Sequence, residues 1–254
     1  MRHTAMYNDY AELEIDEKGV LCAIRNYGKP CDVTIPHMLP SGKIITCIGR
    51  NFLYGKYKLV TISNEITDIA EAAFQSTSVE AVVWSAGCKS IPPRCFHECS
   101  LKNLVNIANV TRIGSSAFMD ADIESILWPG NCKLIPQACF ERSRLQNISG
   151  IERVTHICTT AFSECKIQEI VWPSGCSVIP YECFYRSKLE RIGNIEHVTV
   201  ICEKAFAHSQ LQPLDLSGTT VNFIGKQAFA AIEQETVIPP YYTPKDVWDA
   251  AFRN

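Results

Sequence analysis

A phenylalanine returns at a nearly fixed interval through most of the chain: Phe52, Phe74, Phe96, Phe118, Phe140, Phe162, Phe184, Phe206 and Phe229. Seven of the intervals are 22 residues and the last is 23. A bulky aromatic held in register this long needs the same buried slot in every repeat, which a single enlarging core does not offer. A period of roughly 20–50 residues marks a solenoid, in which each repeat buries its apolar side only against its neighbours. Length alone, 254 residues, would allow one or two ordinary domains. The repeat overrides that reading and predicts one elongated stack.

The positions around each ring repeat too. Isoleucine stands five residues before it (Ile69, Ile91, Ile113, Ile135, Ile157, Ile179, Ile201, Ile224), and Ala or Cys usually stands directly before it. Aliphatics follow at five and eight residues, as in Leu145 and Ile148 after Phe140. The L-x-x-I-x stretch predicts a short strand, and strands stacked about 4.8 Å apart form a parallel sheet along one face. Ser115-Ser116-Ala117-Phe118 and its equivalents predict a one-turn helix opposite, tucking the ring inward.

A second period of 44 lies over the first. Trp84, Trp128 and Trp172 follow it, as do Cys88, Cys132 and Cys176, and Cys95, Cys139 and Cys183. Two rung types therefore alternate, one with a W-P-x-G-C corner and one reading N-I-E-x-V-T. Pro92, Pro136 and Pro180 follow the rung isoleucine only in the tryptophan type. Proline has no N–H, so strand pairing is expected to break there on alternate rungs. The tryptophans read either as buried corner posts or as an exposed aromatic rim.

The ends depart from the register. Ala11 to Ile15 and Val20 to Arg25 flank Asp16-Glu17-Lys18-Gly19, a hairpin signal suited to capping an open solenoid end. Cys31 to Pro36 reads as the first rung strand, and Thr236 to Pro239 as a last half-strand. Thr243 is a candidate N-cap with Pro244 at the first helical position. Val247, Trp248, Ala251 and Phe252 then form one apolar face. The expected organisation is an N-terminal β cap over 1–36, a solenoid over 37–232 and a C-terminal cap over 233–254, with no appended module.

Net charge of −3 gives no reason to expect nucleic acid as a partner, and no apolar run is long enough to span a bilayer. The first ten residues contain no apolar signal-peptide core, which points to a cytoplasmic or assembly-associated protein. Surface exposure would then need a route without a signal peptide. The thirteen cysteines read as reduced thiols, since the count is odd and the chain is not short. Cys95-Phe96-His97-Glu98-Cys99 offers metal-ligand types, but a buried Phe96 makes Cys95 and His97 diverge. Cys95, Cys139 and Cys183 stand where other rungs carry Ala, as small apolar filler. No serine elbow, phosphate loop or zinc-protease motif is present, so neither catalytic residues, metal ligands nor a cofactor are expected.

The strings I-G-x-x-A-F (Ile113 to Phe118, Ile224 to Phe229) and I-x-x-I-x-W-P resemble the BspA-type leucine-rich repeat, also seen in treponemal and trichomonad surface proteins. The resemblance runs over about residues 33–240, and Tyr242 to Phe252 looks like the tail that often closes this family. It implies a leucine-rich repeat solenoid with short parallel strands on a concave face and one-turn helices and loops on the convex face. It also implies a protein- or glycan-interaction role, adhesion-like, with no catalytic residues to carry over. Numbered from its first aliphatic, each strand points positions 3 and 5 to the concave side. Position 5 includes Val83, Val105, Leu127 and Val171; position 3 includes Asn103, Ser125, Asn147, Glu169 and Arg191. The aliphatics need no burial by the fold, and such a stripe marks a candidate contact surface. They are equally ordinary β-formers chosen for propensity. Two other readings stay open: a structural or receptor-binding part of a phage or other large assembly, and a thiol- or metal-binding protein.

Overall fold

The computed structural model describes residues 3–8, 11–233, 235, 237–240 and 243–253. Thr236 and Tyr242, which the sequence assigns to the last half-strand and the tail, lie outside them. All nine rings from Phe52 to Phe229 are fully buried in one continuous core. From Phe96 to Phe229 successive rings lie 5.3–5.8 Å apart and within 3–8° of parallel. The first pair, Phe52 and Phe74, is instead edge-to-face at 84°. The repeat is wider at the rings than the roughly 4.8 Å between paired strands, which puts the strand face inside the curve.

The turn holding each ring is not the expected one-turn helix. In the turns from Phe74 to Phe229, the residues two before and two after the ring all have positive φ, as Ser116 (56°) and Asp120 (55°) do around Phe118. That alternation aims every second N–H along the stack axis instead of back into its own turn. Ser116, Phe118 and Asp120 accordingly donate to the carbonyls of Gln137, Cys139 and Glu141, at 2.9, 3.0 and 2.9 Å. The same three bonds recur from rung to rung, so the continuous backbone ladder of the molecule runs through the phenylalanine turns.

The strand face is sectioned. Asn103–Val105 pairs with Ser78–Val83, Ser125–Leu127 with Asn147–Ser149, and Glu169–Val171 with Arg191–Gly193, all parallel. Among the described residues no pairing links these sections to one another beyond Val105. Asn106, Gly150 and Asn194 end every second strand with φ of 65°, 79° and 60°, turning the chain away before the next rung pairs. Asn and Gly are the residues that tolerate this conformation best. The short strands before each ring break before Ser90–Ile91, Leu134–Ile135 and Val178–Ile179; they share the strand-face breaks after Val105 and Ser149, whereas Val200–Ile201 still pairs with Phe223–Ile224. Leu134–Ile135 pairs with His156–Ile157, and Cys158 N–H donates to the Ile135 carbonyl at 2.9 Å. Pro136 has no N–H for the rung before it. The proline argument thus holds: each break of the short rung strands falls at Pro92, Pro136 or Pro180, on alternate rungs.

Both ends are covered. β1 (His3–Asn8), β2 (Ala11–Ile15) and β3 (Val20–Asn26) form an antiparallel meander whose last strand runs parallel to Cys47–Ile48. The Asp16 carboxylate accepts from Lys18 N and Val20 N, both at 2.9 Å, and so closes the predicted hairpin. β4 (Cys31–Ile35) is the first rung strand, paired with Lys56–Ile62. At the other end α1 (Lys245–Phe252) starts one residue later than the sequence suggests. Pro244 is its N-cap because its ψ of 142° is extended, and Thr243 makes no cap. The carbonyls of Ala250 and Ala251, left over at the helix end, accept from Gln227 N and Phe229 N at 3.0 and 2.9 Å. Phe252 stacks on Phe229 at 5.3 Å and continues the ring column at the same interval of 23.

Candidate interaction surface

The strand registers decide which side chains face out. Ile126, Ile148 and Ile170 point to the core, so their neighbours on both sides point away from it. Val105 is 52% exposed, and Leu127 and Val171 are each 69% exposed. Asn103, Ser125, Asn147, Glu169 and Arg191 are exposed beside them, while Val83 is only half-buried. All nine residues singled out in the sequence therefore share one face. Ile238, half exposed and paired with Asp215, extends the aliphatic column beyond the positions named from sequence. Arg191 is ion-paired with Glu169 across adjacent strands, and Lys102 with Glu80 at 3.8 Å.

The corner beside this face is rigid. Trp84, Trp128 and Trp172 are buried corner posts rather than a rim, each 5.8–5.9 Å from the ring of its own rung. The indole N–H of Trp128 donates to the Cys132 carbonyl at 3.1 Å and that of Trp172 to Cys176 at 2.8 Å. Trp84 Nε1 has no such partner; its rung reads Trp-Ser instead of Trp-Pro, and Ser85 Oγ donates to Ile66 O. On the following rungs the amides of Asn106 and Asn194 donate to the Trp84 and Trp172 carbonyls, at 2.7 and 2.6 Å. Next to the last of these corners lies a groove of about 890 Å³, lined by Val171, Trp172, Pro173, Gly193 and Pro213 among others. Sequence reasoning placed Glu169, Val171 and Arg191 here but not the hollow. Its signal is the small residue on either side of Val171 in the column, Ser149 and Gly193. A second line of partly exposed apolar residues, Leu134, Val178 and Phe223, was also missed; each directly precedes a rung isoleucine.

All thirteen cysteines are free thiols. Cys95, Cys139 and Cys183 are fully enclosed, and burial holds each well above the ordinary thiol range. Burial also raises Cys132 and Cys176 to about 11 and Cys165 to about 12. Nucleophilic and metal-ligating cysteines need the opposite shift. Within Cys95 to Cys99 both thiols are buried, whereas His97 turns outward beside Glu98 and Asp120. The ligand atoms of those three lie within 4.8 Å of one another. The Asp120 carboxylate is already clasped by Arg142, at 2.8 and 2.9 Å, and that guanidinium opposes a cation. His156 bonds its neighbour Thr155, and His197 the Pro173 carbonyl, so they do not form a pair.

Comparison with known proteins agrees with this architecture. The sequence profile of the BspA type leucine rich repeat region matches residues 38–122 and 111–236, in six copies. A search of curated proteins found no match. Among solved structures, a leucine-rich cell surface protein from Faecalibacterium prausnitzii is 18% identical, with a TM-score of 0.58 over 91% of this chain and 74% of that one. A leucine-rich repeat protein from Bacteroides ovatus is 19% identical, with a TM-score of 0.50 over 93% of this chain and 82% of that one. At these identities the likeness concerns the fold. With the profile covering most of the chain and the rungs stacked as described, this protein belongs to the BspA type leucine-rich repeat family.

Proposed function

We propose that the chain is a non-catalytic scaffold that captures a protein partner along its strand face. The observation that carries this reading is the outward aliphatic column Val105, Leu127 and Val171. Nothing in the packing of the rungs requires aliphatic residues there. Exposed apolar surface on a rigid, concave solenoid face is what such folds use for binding. A polypeptide suits the face better than a glycan, because sugars stack on exposed aromatic rings and the three tryptophans at its edge are buried. The raised thiols speak against a thiol-reactive function. Leu127→Glu combined with Val171→Glu is expected to abolish partner capture, read by crosslinking from the strand face, while the melting temperature stays nearly unchanged. A large drop in melting temperature would mean that the column is packed, and the reading would fail.

A further inference from the structure

The strand face is not uniform along its length. In its N-terminal half the third strand position is neutral at Asn103, Ser125 and Asn147, and the second position pairs Glu80 with Lys102 and adds Glu124. The groove further along carries three carboxylates, Glu152, Glu169 and Glu190, and one guanidinium, Arg191. Arg191 is committed to Glu169. Glu190 has only a long contact from Gln168, at 3.5 Å, and Glu152 has no partner among the described residues. Two of the lining carboxylates are thus left for a partner to neutralise. The same groove is also lined by apolar Val171, Trp172, Pro173, Leu211 and Pro213. Val171 is exposed, buried Pro173 and exposed Pro213 both line the groove, and a Cβ built on Gly193 meets nothing within 4 Å.

The hollow is also held in shape before anything binds. Trp172 N donates to the Gly193 carbonyl at 2.9 Å, the Asn194 amide to the Trp172 carbonyl, and the indole to Cys176. A site that needs no rearrangement spends little of its contact energy on ordering. From Ser149 to Pro213 it crosses three rung steps, about 14 Å, which is the reach of four or five residues of extended chain.

Resting on the reading of this face as a protein-binding surface, we propose that the groove from Ser149 to Pro213 binds an extended basic peptide segment. One apolar side chain sits over Gly193 between Val171 and Pro213, and flanking Lys or Arg side chains reach Glu152 and Glu190. Apolar contact sets the position and the charges set the sign of the partner. Long basic side chains suit the geometry, since their stems lie on apolar surface while their heads reach the rim.

Fluorescence anisotropy with labelled Lys-Ser-Arg-Leu-Arg-Ser-Lys tests this on the full chain. Two further probes separate the contributions: the same peptide with Glu for each basic residue, and the same peptide with Ser for Leu. The basic peptide is expected to bind at least tenfold tighter than the acidic one and about fivefold or more tighter than the leucine-free one. Gly193→Trp fills the hollow without backbone strain and should abolish binding, whereas Gly193→Ala should keep it. Glu152→Lys with Glu190→Lys should weaken it tenfold or more and reverse the sign of its salt dependence. Equal binding of the leucine and serine peptides, or full binding by a folded Gly193→Trp variant, would overturn the proposal. Leu127 lies outside the groove. If Leu127→Glu alone destroys partner capture and Gly193→Trp leaves it intact, the scaffold reading survives and the groove proposal falls. If neither substitution affects capture, both fall.

Discussion

Phe140 shows what one residue contributes to this fold. Its ring is fully buried between those of Phe118 and Phe162, at 5.3 and 5.8 Å, and meets Trp128 edge-on at 5.9 Å. Truncating a buried aromatic removes the transfer energy and leaves a cavity that a rigid stack cannot close. Phe140→Ala is expected to cost about 3–5 kcal/mol in urea unfolding; a cost below about 0.5 kcal/mol would contradict the burial. The ring column was legible in the sequence because stacking demands strict spacing. Phe252 was not, although it obeys the spacing, because it sits in a helix whose amphipathic pattern accounts for it equally well. The left-handed residues were illegible for another reason. Apart from Asn106, Gly150 and Asn194 on the strand face, they include Thr160, Glu182 and Arg186, types with no preference for positive φ. Their conformation is imposed by the hydrogen bond each N–H makes to the next rung, a contact with no local sequence code.

At the scale of elements, α1 ends the ladder rather than merely covering it. Its last carbonyls take up the N–H groups of Gln227 and Phe229, and Trp248 and Phe252 close over the Phe229 ring. In a one-dimensional stack each rung depends chiefly on its neighbours, so losing the end should fray the adjacent rungs first. Trp248→Ala is expected to speed amide exchange at Gln227 and Phe229 at least tenfold, with Phe118 and Phe140 unchanged. Uniform loss of protection would instead mean that the stack unfolds as one cooperative unit. The broken pairing of the short strands could be read from Pro136 and its equivalents, since a missing donor is a property of the residue itself. The breaks in the strand face could not, because they depend on where the chain turns after the strand.

Taken whole, the molecule is a rigid stack in which most thiols serve as core. Burial raises the enclosed cysteines and lowers their thiolate fraction at neutral pH, and the thiolate is the species that reacts. Iodoacetamide near pH 8 on the native protein should label only the half-buried Cys22, Cys31, Cys47, Cys158 and Cys202. The eight buried thiols, Cys95, Cys139 and Cys183 among them, should react only after denaturant is added. Rapid labelling of Cys139 in the folded protein would argue for openings that the packing does not suggest. By itself the sequence determined the period, the two alternating rung types, the inward and outward faces of each strand and the apolar column. All of these are set by spacing along the chain, which side-chain periodicity converts directly into direction. Only the tertiary structure decided where the ladder runs, where the strand face breaks and that a groove opens beside Trp172. Those depend on distances between residues some 22 positions or more apart, where backbone groups of different rungs choose their partners.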